Sequence, residues 1–436
     1  MLRPIGLELA RRGHNVTVIT AYKEENPPPT YRQVIVDNKL IWDVLGIERP
    51  NVFDMVQISA EEFHDMILFR GGLGTTETAL NSTEVKGFLA EDNSFDLVIS
   101  EQFFQESLYI LAHKYKTPLV LVTTFGNCMR HNIVTRNPLQ LATTISEFLD
   151  LKEPTSFRGR LRNLYFIIYE YVYWRYWYLE KQEALVKKYI PNLPEPVPSL
   201  YEMQKNASLI LVNGHFSVDL PVAYLPNVVE IGGVHLSKSD SKLPDDLQQL
   251  LDEATNGVVY VNFGSNVRSS ELPVEKRDAF LNVFRKLKHT VLWKWEDDNL
   301  PNKPDNLVVE NLGFGRILQY NDINEQSLGN HLDEFLRDDT YKRKAVEASE
   351  RFKDRPMSAL DSAMFWIEYV IRHKGAKHMK SPAMELSWIA YSMIDVYAFI
   401  LMGILLVAYV LYKIVKFSHY SVLSLRYSKM HKKKQN

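Results

Sequence analysis

Cysteine is nearly absent from this sequence, which contains Cys128 and no second cysteine. A disulfide within the chain is therefore excluded, and we interpret Cys128 as a small buried hydrophobic residue. The sequence has no CxxC pair and no HExxH spacing, so no metal site is predicted. Its net charge is only −2, which gives no indication of nucleic-acid binding.

Long hydrophobic runs are also scarce, with one exception near the carboxyl end. Residues 396–412 contain no charged side chain, and their flanks extend the apolar segment to about residues 394–415. At about 1.5 Å of rise per residue, a helix of this length crosses the hydrocarbon core of a bilayer. No basic start followed by an apolar run marks a signal peptide after Met1. We therefore expect one membrane-spanning helix, close to the carboxyl terminus.

The stretch from Gly257 to Ser270 is the most informative part of the chain. Val258 to Phe263 is an apolar run rich in β-branched residues, which is typical of a strand buried on both faces of a parallel sheet. The small residues Gly264, Ser265 and Asn266 follow, and a helix is predicted at residues 273–287. A strand, a small-residue turn and a helix can bind a phosphate, although a plain turn between the two elements fits equally well.

Strands and helices alternate through the rest of the chain, which predicts an α/β fold. The first helix covers residues 1–12 and leads into a strand at residues 15–20, but no strand precedes that helix as a βαβ unit requires. Further strands and helices are predicted at residues 95–100, 106–114, 118–122, 158–189, 209–213, 244–254, 290–295, 307–310 and 324–337. Gly71 to Gly74 lack phosphate-loop spacing and are interpreted as a surface loop. The sheet that begins with the strand at residues 258–263 ends after three predicted strands. A nucleotide-binding α/β domain has two such halves, so one half is missing.

Four stretches resemble the UDP-glycosyltransferase family, of the animal UDP-glucuronosyltransferase type and insect-like. They are Leu9–Thr20, Glu230–Ser269, Val291–Glu296 and Phe352–Trp388. The resemblance implies two Rossmann-like lobes of the GT-B type, followed by the transmembrane helix. It also implies transfer of a hexosyl or glucuronosyl group from a UDP-sugar to a small lipophilic acceptor, with no other cofactor and no metal. A histidine oriented by a carboxylate would act as the general base.

The family's site residues carry over to this chain only in part. Gly264 and Ser265 match the turn that contacts the donor phosphates, and Lys294 stands where the family has a basic residue near the diphosphate. Glu101 stands at the position of the carboxylate that orients the histidine; the alternative is an ordinary surface acid at a strand end. His14 does not correspond to the catalytic histidine and is interpreted as structural.

Two parts of the family pattern have no counterpart in this sequence. The base histidine belongs to a segment before the first helix, and the donor signature, with its Trp-Pro-Gln and His-Gly-Gly turns, would lie between Leu312 and Gly313. We therefore expect the chain to be impaired or inactive as a UDP-sugar transferase. The alternatives are a non-catalytic variant that pairs with intact family members, as a homo- or hetero-oligomer, and an incomplete gene product.

The expected organisation has five parts. They are an acceptor-side lobe at residues 1–230, an incomplete donor lobe at 231–352, a helix and juxtamembrane segment at 353–390, a transmembrane helix at 391–415 and a basic tail at 416–436. Lys433 and Lys434 form the dilysine pattern that retrieves proteins to the endoplasmic reticulum. We expect a single-pass protein of that membrane, with its orientation left open because no signal peptide is recognised.

Overall fold

The computed structural model describes residues 1–37, 41–126, 128–151, 153–219, 221–236, 242–264, 267–297, 307–308, 323–337 and 339–433. It divides into two units, Met1–Met379 and Lys380–Asn436. Ser265, Asn266 and the Leu312–Gly313 junction lie outside the described residues, as do residues 309–310 of the predicted strand at residues 307–310.

All strands of the described residues pair in parallel and form three sheets. The strands are β1 (Val16–Thr20), β2 (Tyr31–Ile35), β3 (Val98–Glu101), β4 (Leu119–Thr123), β5 (Leu209–Val212), β6 (Val228–Glu230), β7 (Val258–Val261), β8 (Thr290–Trp293) and β9 (Leu307–Val308). The first sheet has the order β1-β2, the second β3-β4-β5-β6 and the third β7-β8-β9. This confirms the predicted α/β class with parallel sheets.

The helices fall between these strands and after them. In the first unit they are α1 (Leu2–Arg11), α2 (Ile41–Leu45), α3 (Ala60–Phe63), α4 (Gly71–Asn81), α5 (Thr83–Ala90), α6 (Ile110–Lys114), α7 (Met129–Thr135), α8 (Phe157–Tyr173), α9 (Leu179–Tyr189), α10 (Leu200–Lys205), α11 (Asp245–Glu253), α12 (Val274–Lys286), α13 (Glu325–Arg337), α14 (Asp339–Lys353) and α15 (Ala359–Arg372). In the second unit they are α16 (Trp388–Tyr391) and α17 (Ile394–Lys433). A π-helical turn, Trp174–Tyr178, joins α8 to α9.

Strands β4 and β5 form the centre of the second sheet because their apolar runs are buried on both faces. Every residue of both strands is buried. One face, with Val120 and Leu209, packs against α1 and α15, and the other face, with Leu121 and Ile210, packs against Tyr109 and Ala207. This two-sided burial explains why both strands could be predicted from continuous apolar sequence.

Helix α15 packs against the amino-terminal part of the chain. Its residues Met364 and Ile367 share a core with Ile5 of α1. An ion pair of 2.7 Å joins Arg12 to Asp361 beside this core. The chain therefore returns at α15 to pack against its amino-terminal helix.

A cavity of about 690 Å³ lies between the neighbouring edges of β1 and β3. Val16 and Val18 line it from β1, and Val98 and Glu101 line it from β3. Within the described residues β1 pairs with β2 alone and β3 with β4 alone. Strand-edge backbone groups of both sheets therefore border this space.

The prediction that Gly71 to Gly74 form a surface loop is wrong, because they begin helix α4. Gly72 is buried, and a Cβ atom there would lie 2.5 Å from the Tyr178 hydroxyl and 2.6 Å from the Phe104 carbonyl oxygen. A glycine is required at position 72 because α4 packs closely against Phe104 and Tyr178, and not because the segment binds phosphate or forms a turn. The short strands β2 and β6 were not predicted.

The second unit contains the predicted membrane helix as part of α17. Ile394–Tyr420 is long and apolar enough to cross a bilayer, with a mean hydropathy of 2.4. This candidate span starts at Ile394, where the predicted apolar segment starts, and it continues five residues beyond the predicted end at Val415.

The close packing at Gly72 predicts a large difference between two glycine substitutions. Gly72→Ala should lower the free energy of unfolding by about 1–3 kcal/mol, because the added methyl group overpacks the site. Gly87→Ala, in the interior of α5 where nothing lies within 4 Å, should raise it by about 0.5–1 kcal/mol. Urea unfolding of the full chain in detergent micelles measures both values, and equal effects would contradict the packing argument.

Candidate functional site

The turn after β7 is held by hydrogen bonds from two neighbouring segments. Gly264 has a positive φ of 89°, a backbone conformation that favours glycine. Its amide donates to the Asn262 side-chain oxygen over 2.6 Å, and its carbonyl accepts from the Lys294 Nζ over 2.6 Å. Lys294 follows β8 directly, so parallel pairing of β7 and β8 brings both predicted residues to the same sheet edge.

The segment that follows this turn is anchored by two hydrogen bonds. Trp293, fully buried in β8, donates its indole N–H to the Ser269 hydroxyl over 3.0 Å. The Ser270 amide donates to the Glu296 carboxylate over 3.2 Å. The Glu296 carboxylate also lies 3.6 Å from the ammonium of Lys294, a buried residue that is 8% exposed. The lysine charge is therefore compensated in part and held at the carboxyl end of the sheet, where α/β proteins bind ligands.

The amino-terminal part of the first unit contacts the segment after this turn. Arg49 forms an ion pair with Glu271, and the Asn51 side chain donates to the Glu271 carbonyl over 2.9 Å. Phe53 packs against the core of the third sheet. The chain between α2 and α3 therefore braces the candidate donor turn from outside its own sheet.

Glu101 closes β3 and lies at the carboxyl end of the second sheet. Its carboxylate accepts a hydrogen bond from the Thr124 hydroxyl over 2.8 Å, and Thr124 directly follows β4. Among the hydrogen bonds and ion pairs of the described residues, none joins Glu101 to a histidine. Its orienting role therefore stays a prediction, as do the phosphate-binding roles of Gly264 and Lys294. Ser265 lies outside the described residues.

His14 lies just before the amino end of β1. Its Nε2 atom is 3.5 Å from the Glu368 carboxylate of α15, and its side chain is 37% exposed. This contact links the end of α1 to α15, which fits the structural role expected for this residue.

A buried charged cluster lies among the aromatic side chains of α8, and the sequence analysis did not identify it. Arg130 of α7 and Glu170 of α8 form an ion pair of 2.8 Å with both side chains 1% exposed. The guanidinium carbon of Arg130 also lies 4.4 Å from the centre of the Phe104 ring. The Trp174 indole donates to the buried Glu106 carboxylate over 2.7 Å. Glu170, a charged residue within the aromatic run of α8, was the sequence feature that could have indicated this cluster. Its partner Arg130 lies 40 residues earlier in the chain, so the pairing itself could not be predicted.

The charges in this cluster control one another's protonation. Burial acts to raise the pKa of Glu170, but the hydrogen bond with His64 and the charge of Arg130 lower it below the usual value. Burial raises the pKa of Glu106 despite the charge of Arg130. Burial and the neighbouring guanidinium hold the pKa of His131 well below its usual value. His131 is therefore neutral, with its Nε2 atom accepting from the Arg130 guanidinium over 3.4 Å.

The described residues contain no group of three or more His, Cys, Asp or Glu side chains placed to hold a metal ion. Separately, the Lys294 ammonium at the sheet edge can neutralise a negatively charged group.

Comparison with known proteins identifies relatives of the chain. The family model for UDP-glucoronosyl and UDP-glucosyl transferase matches residues 75–313 and 308–429. UDP-glycosyltransferase UGT5 of Dactylopius coccus is 29% identical over 474 residues, covering 95% of this chain and 88% of that protein. Human UDP-glucuronosyltransferase 1A10 is 24% identical over 440 residues, covering 88% and 80% respectively.

The solved structure of spinosyn forosaminyltransferase SpnP has a similar fold. Its TM-score is 0.50 at 14% sequence identity, and the match covers 85% of this chain and 95% of that chain. At this level of identity the likeness concerns the GT-B fold alone, and it agrees with the parallel sheets described above.

The neutral state of His131 predicts a pH-dependent stability. The unfolded chain takes up a proton at this histidine below about pH 6.5, whereas the folded chain does not, so acid favours unfolding by up to about 1.4 kcal/mol per pH unit. His131→Gln should reduce the loss of stability between about pH 6.5 and pH 5.5. Urea midpoints at the two pH values measure it.

His235→Gln is the matched control for this measurement, because His235 is exposed in the turn after β6. Its loss of stability between the two pH values should equal that of the unchanged chain. If the His131 variant also behaves like the unchanged chain, the buried histidine is not the group that responds.

Proposed function

Because the chain belongs to the UDP-glucoronosyl and UDP-glucosyl transferase family, we propose that it binds a UDP-sugar at the carboxyl ends of β7 and β8. The observation that carries this proposal is the fixed turn at Gly264 with the Lys294 ammonium bound to it. The diphosphate meets this ammonium at the edge of the sheet. No metal ion is required for this neutralisation.

The proposed acceptor is a small lipophilic molecule bound on the side of the second sheet, and the transferred group is a hexosyl or glucuronosyl unit. Glu101, held by Thr124 at the carboxyl end of β3, is the carboxylate that would orient a general base. We place the chain in the endoplasmic-reticulum membrane through the candidate span of α17, where transfer to lipophilic compounds serves detoxification.

We further propose that sugar transfer by this chain is impaired. The family model matches in two segments that meet at residues 308–313, the place where the donor signature has no counterpart in the sequence. The alignment with UDP-glycosyltransferase UGT5 runs over 474 residues, although this chain has 436. That relative therefore has internal residues without a partner here. Loss of groups that stabilise the leaving diphosphate lowers turnover by about 10²–10³-fold per group.

Removal of the lysine charge tests the binding proposal. Lys294→Met in the full chain in nanodiscs should weaken UDP binding by about tenfold or more, since a hydrogen bond to a charged group is worth about 1.5–3 kcal/mol. Titration calorimetry measures this with UDP and with uridine. Uridine has no phosphate, so its affinity should stay unchanged.

Lys288→Met is the matched control, because Lys288 is exposed just before the amino end of β8. It should leave UDP affinity unchanged. If Lys294→Met weakens UDP and uridine equally, the lysine shapes the turn without contacting the diphosphate, and the proposed donor site is wrong.

A second measurement tests the impaired transfer. The full chain, incubated with labelled UDP-glucose or UDP-glucuronate and a phenol, should yield no glycoside under conditions in which UDP binding is measured. Turnover near that of an intact relative would contradict the proposal. If transfer is absent and the chain changes the turnover of a co-expressed intact relative, the alternative role as a non-catalytic partner is supported.

A further inference from the structure

Helix α8 and the π-helical turn after it expose a continuous apolar face. Six exposed side chains recur at spacings of three or four residues, and these are Phe157, Leu161, Tyr165, Ile168, Val172 and Tyr176. Their exposed fractions run from 47% at Val172 to 72% at Phe157. Spacing of this kind places all six side chains on one side of the helix.

The opposite side of the same helix already belongs to the core. Phe166 and Trp174 are fully buried there, together with Glu170 in its ion pair with Arg130. The exposed apolar face therefore cannot turn inward without breaking the buried charged cluster. It stays at the surface unless something outside the described residues covers it.

We propose that this apolar face lies in the interfacial layer of the membrane to which the chain is anchored. The face combines aliphatic side chains with tyrosines, whose rings are apolar and whose hydroxyls remain in contact with water or headgroups. Arg158 and Arg160 are exposed at its amino end and match the negative charge of lipid phosphates. These are the features of a helix that lies flat at the boundary between headgroups and acyl chains.

Two further points favour lipid over a second copy of the chain. A strip from Phe157 to Tyr176 is about 30 Å long and about 10 Å wide, which is roughly 300 Å² and well below the ~800 Å² that a stable partner buries on each side. The candidate membrane helix of the same chain also keeps the protein attached to a bilayer, so a weak lipid contact is favoured by a high effective concentration.

A fluorescent label on the apolar face tests this proposal in the full chain. Val172→Cys is introduced with Cys128→Ala, labelled with an environment-sensitive dye and reconstituted into vesicles of phosphatidylcholine and phosphatidylserine. Val346→Cys in α14 is the matched control, since Val346 is 49% exposed and Val172 is 47% exposed. The bilayer also contains lipids with a nitroxide near the headgroup, which quench only a dye that touches lipid.

The expected result at Val172→Cys is a blue-shifted emission that the lipid nitroxide quenches, with neither change at Val346→Cys. Adding Leu161→Asp and Ile168→Asp should abolish the shift and the quenching, because two charges do not enter the apolar layer. These positions are exposed, so folding should be preserved, and an unchanged urea midpoint in micelles verifies it. Phe157→Cys replaces Val172→Cys if the latter does not fold, because Phe157 is also exposed on this face.

Two outcomes would overturn the proposal. A dye at Val172→Cys with water-like emission and no quenching would show that the face remains in solvent. A blue shift without lipid quenching, which grows with protein density in the vesicle, would show that another protein chain covers the face.

Discussion

Parallel pairing of β7 with β8 is the constraint on which the candidate donor site depends. Parallel strands end at the same edge of a sheet, so the turn after β7 and the residue after β8 are brought together although 30 residues separate them. The hydrogen bond between Lys294 and the Gly264 carbonyl then fixes the turn. The buried Trp293, which bonds to Ser269, places the next segment as well. The chemistry of the site thus follows from the sheet, with few side chains of its own.

The part of the chain around the second sheet is stabilised by buried charged and aromatic side chains. Its helices enclose the Arg130–Glu170 pair and the Glu106–Trp174 hydrogen bond in an aromatic core. Removing one member of a buried pair leaves an uncompensated charge, so such pairs tolerate little change in the surrounding packing. The helices around the second sheet are therefore tightly constrained, whereas the third sheet has three strands in the described residues.

Much of this architecture could be predicted from sequence, for reasons that differ between elements. Strands β4, β5, β7 and β8 are continuous apolar runs, and such runs indicate strands buried on both faces. Strand β2 was missed because Arg32 and Gln33 interrupt its apolar pattern, and β6 because it has only three residues. Gly264 and Lys294 were found through family resemblance, and their contact could not be derived from spacing along the chain. Gly72 was misassigned because glycine composition does not distinguish a loop from a tightly packed helix.

In helix α8, the hydrophobic pattern of the sequence does not predict which side of the helix faces the core. Aromatic and aliphatic residues occupy both of its sides, so hydrophobicity alone does not tell which side faces the core. The polar residues give the better indication. Asn163 and Glu170, both buried, lie on the inner side, where Asn163 bonds to the backbone of residues 141–146 and Glu170 pairs with Arg130. A polar side chain is tolerated in a core where it has a hydrogen-bond partner, because burying an unpaired polar group costs about 1–3 kcal/mol of folding free energy. The outer side needs no hydrogen-bond partners from the core, so its side chains can be apolar, and an apolar surface of this kind suits contact with lipid.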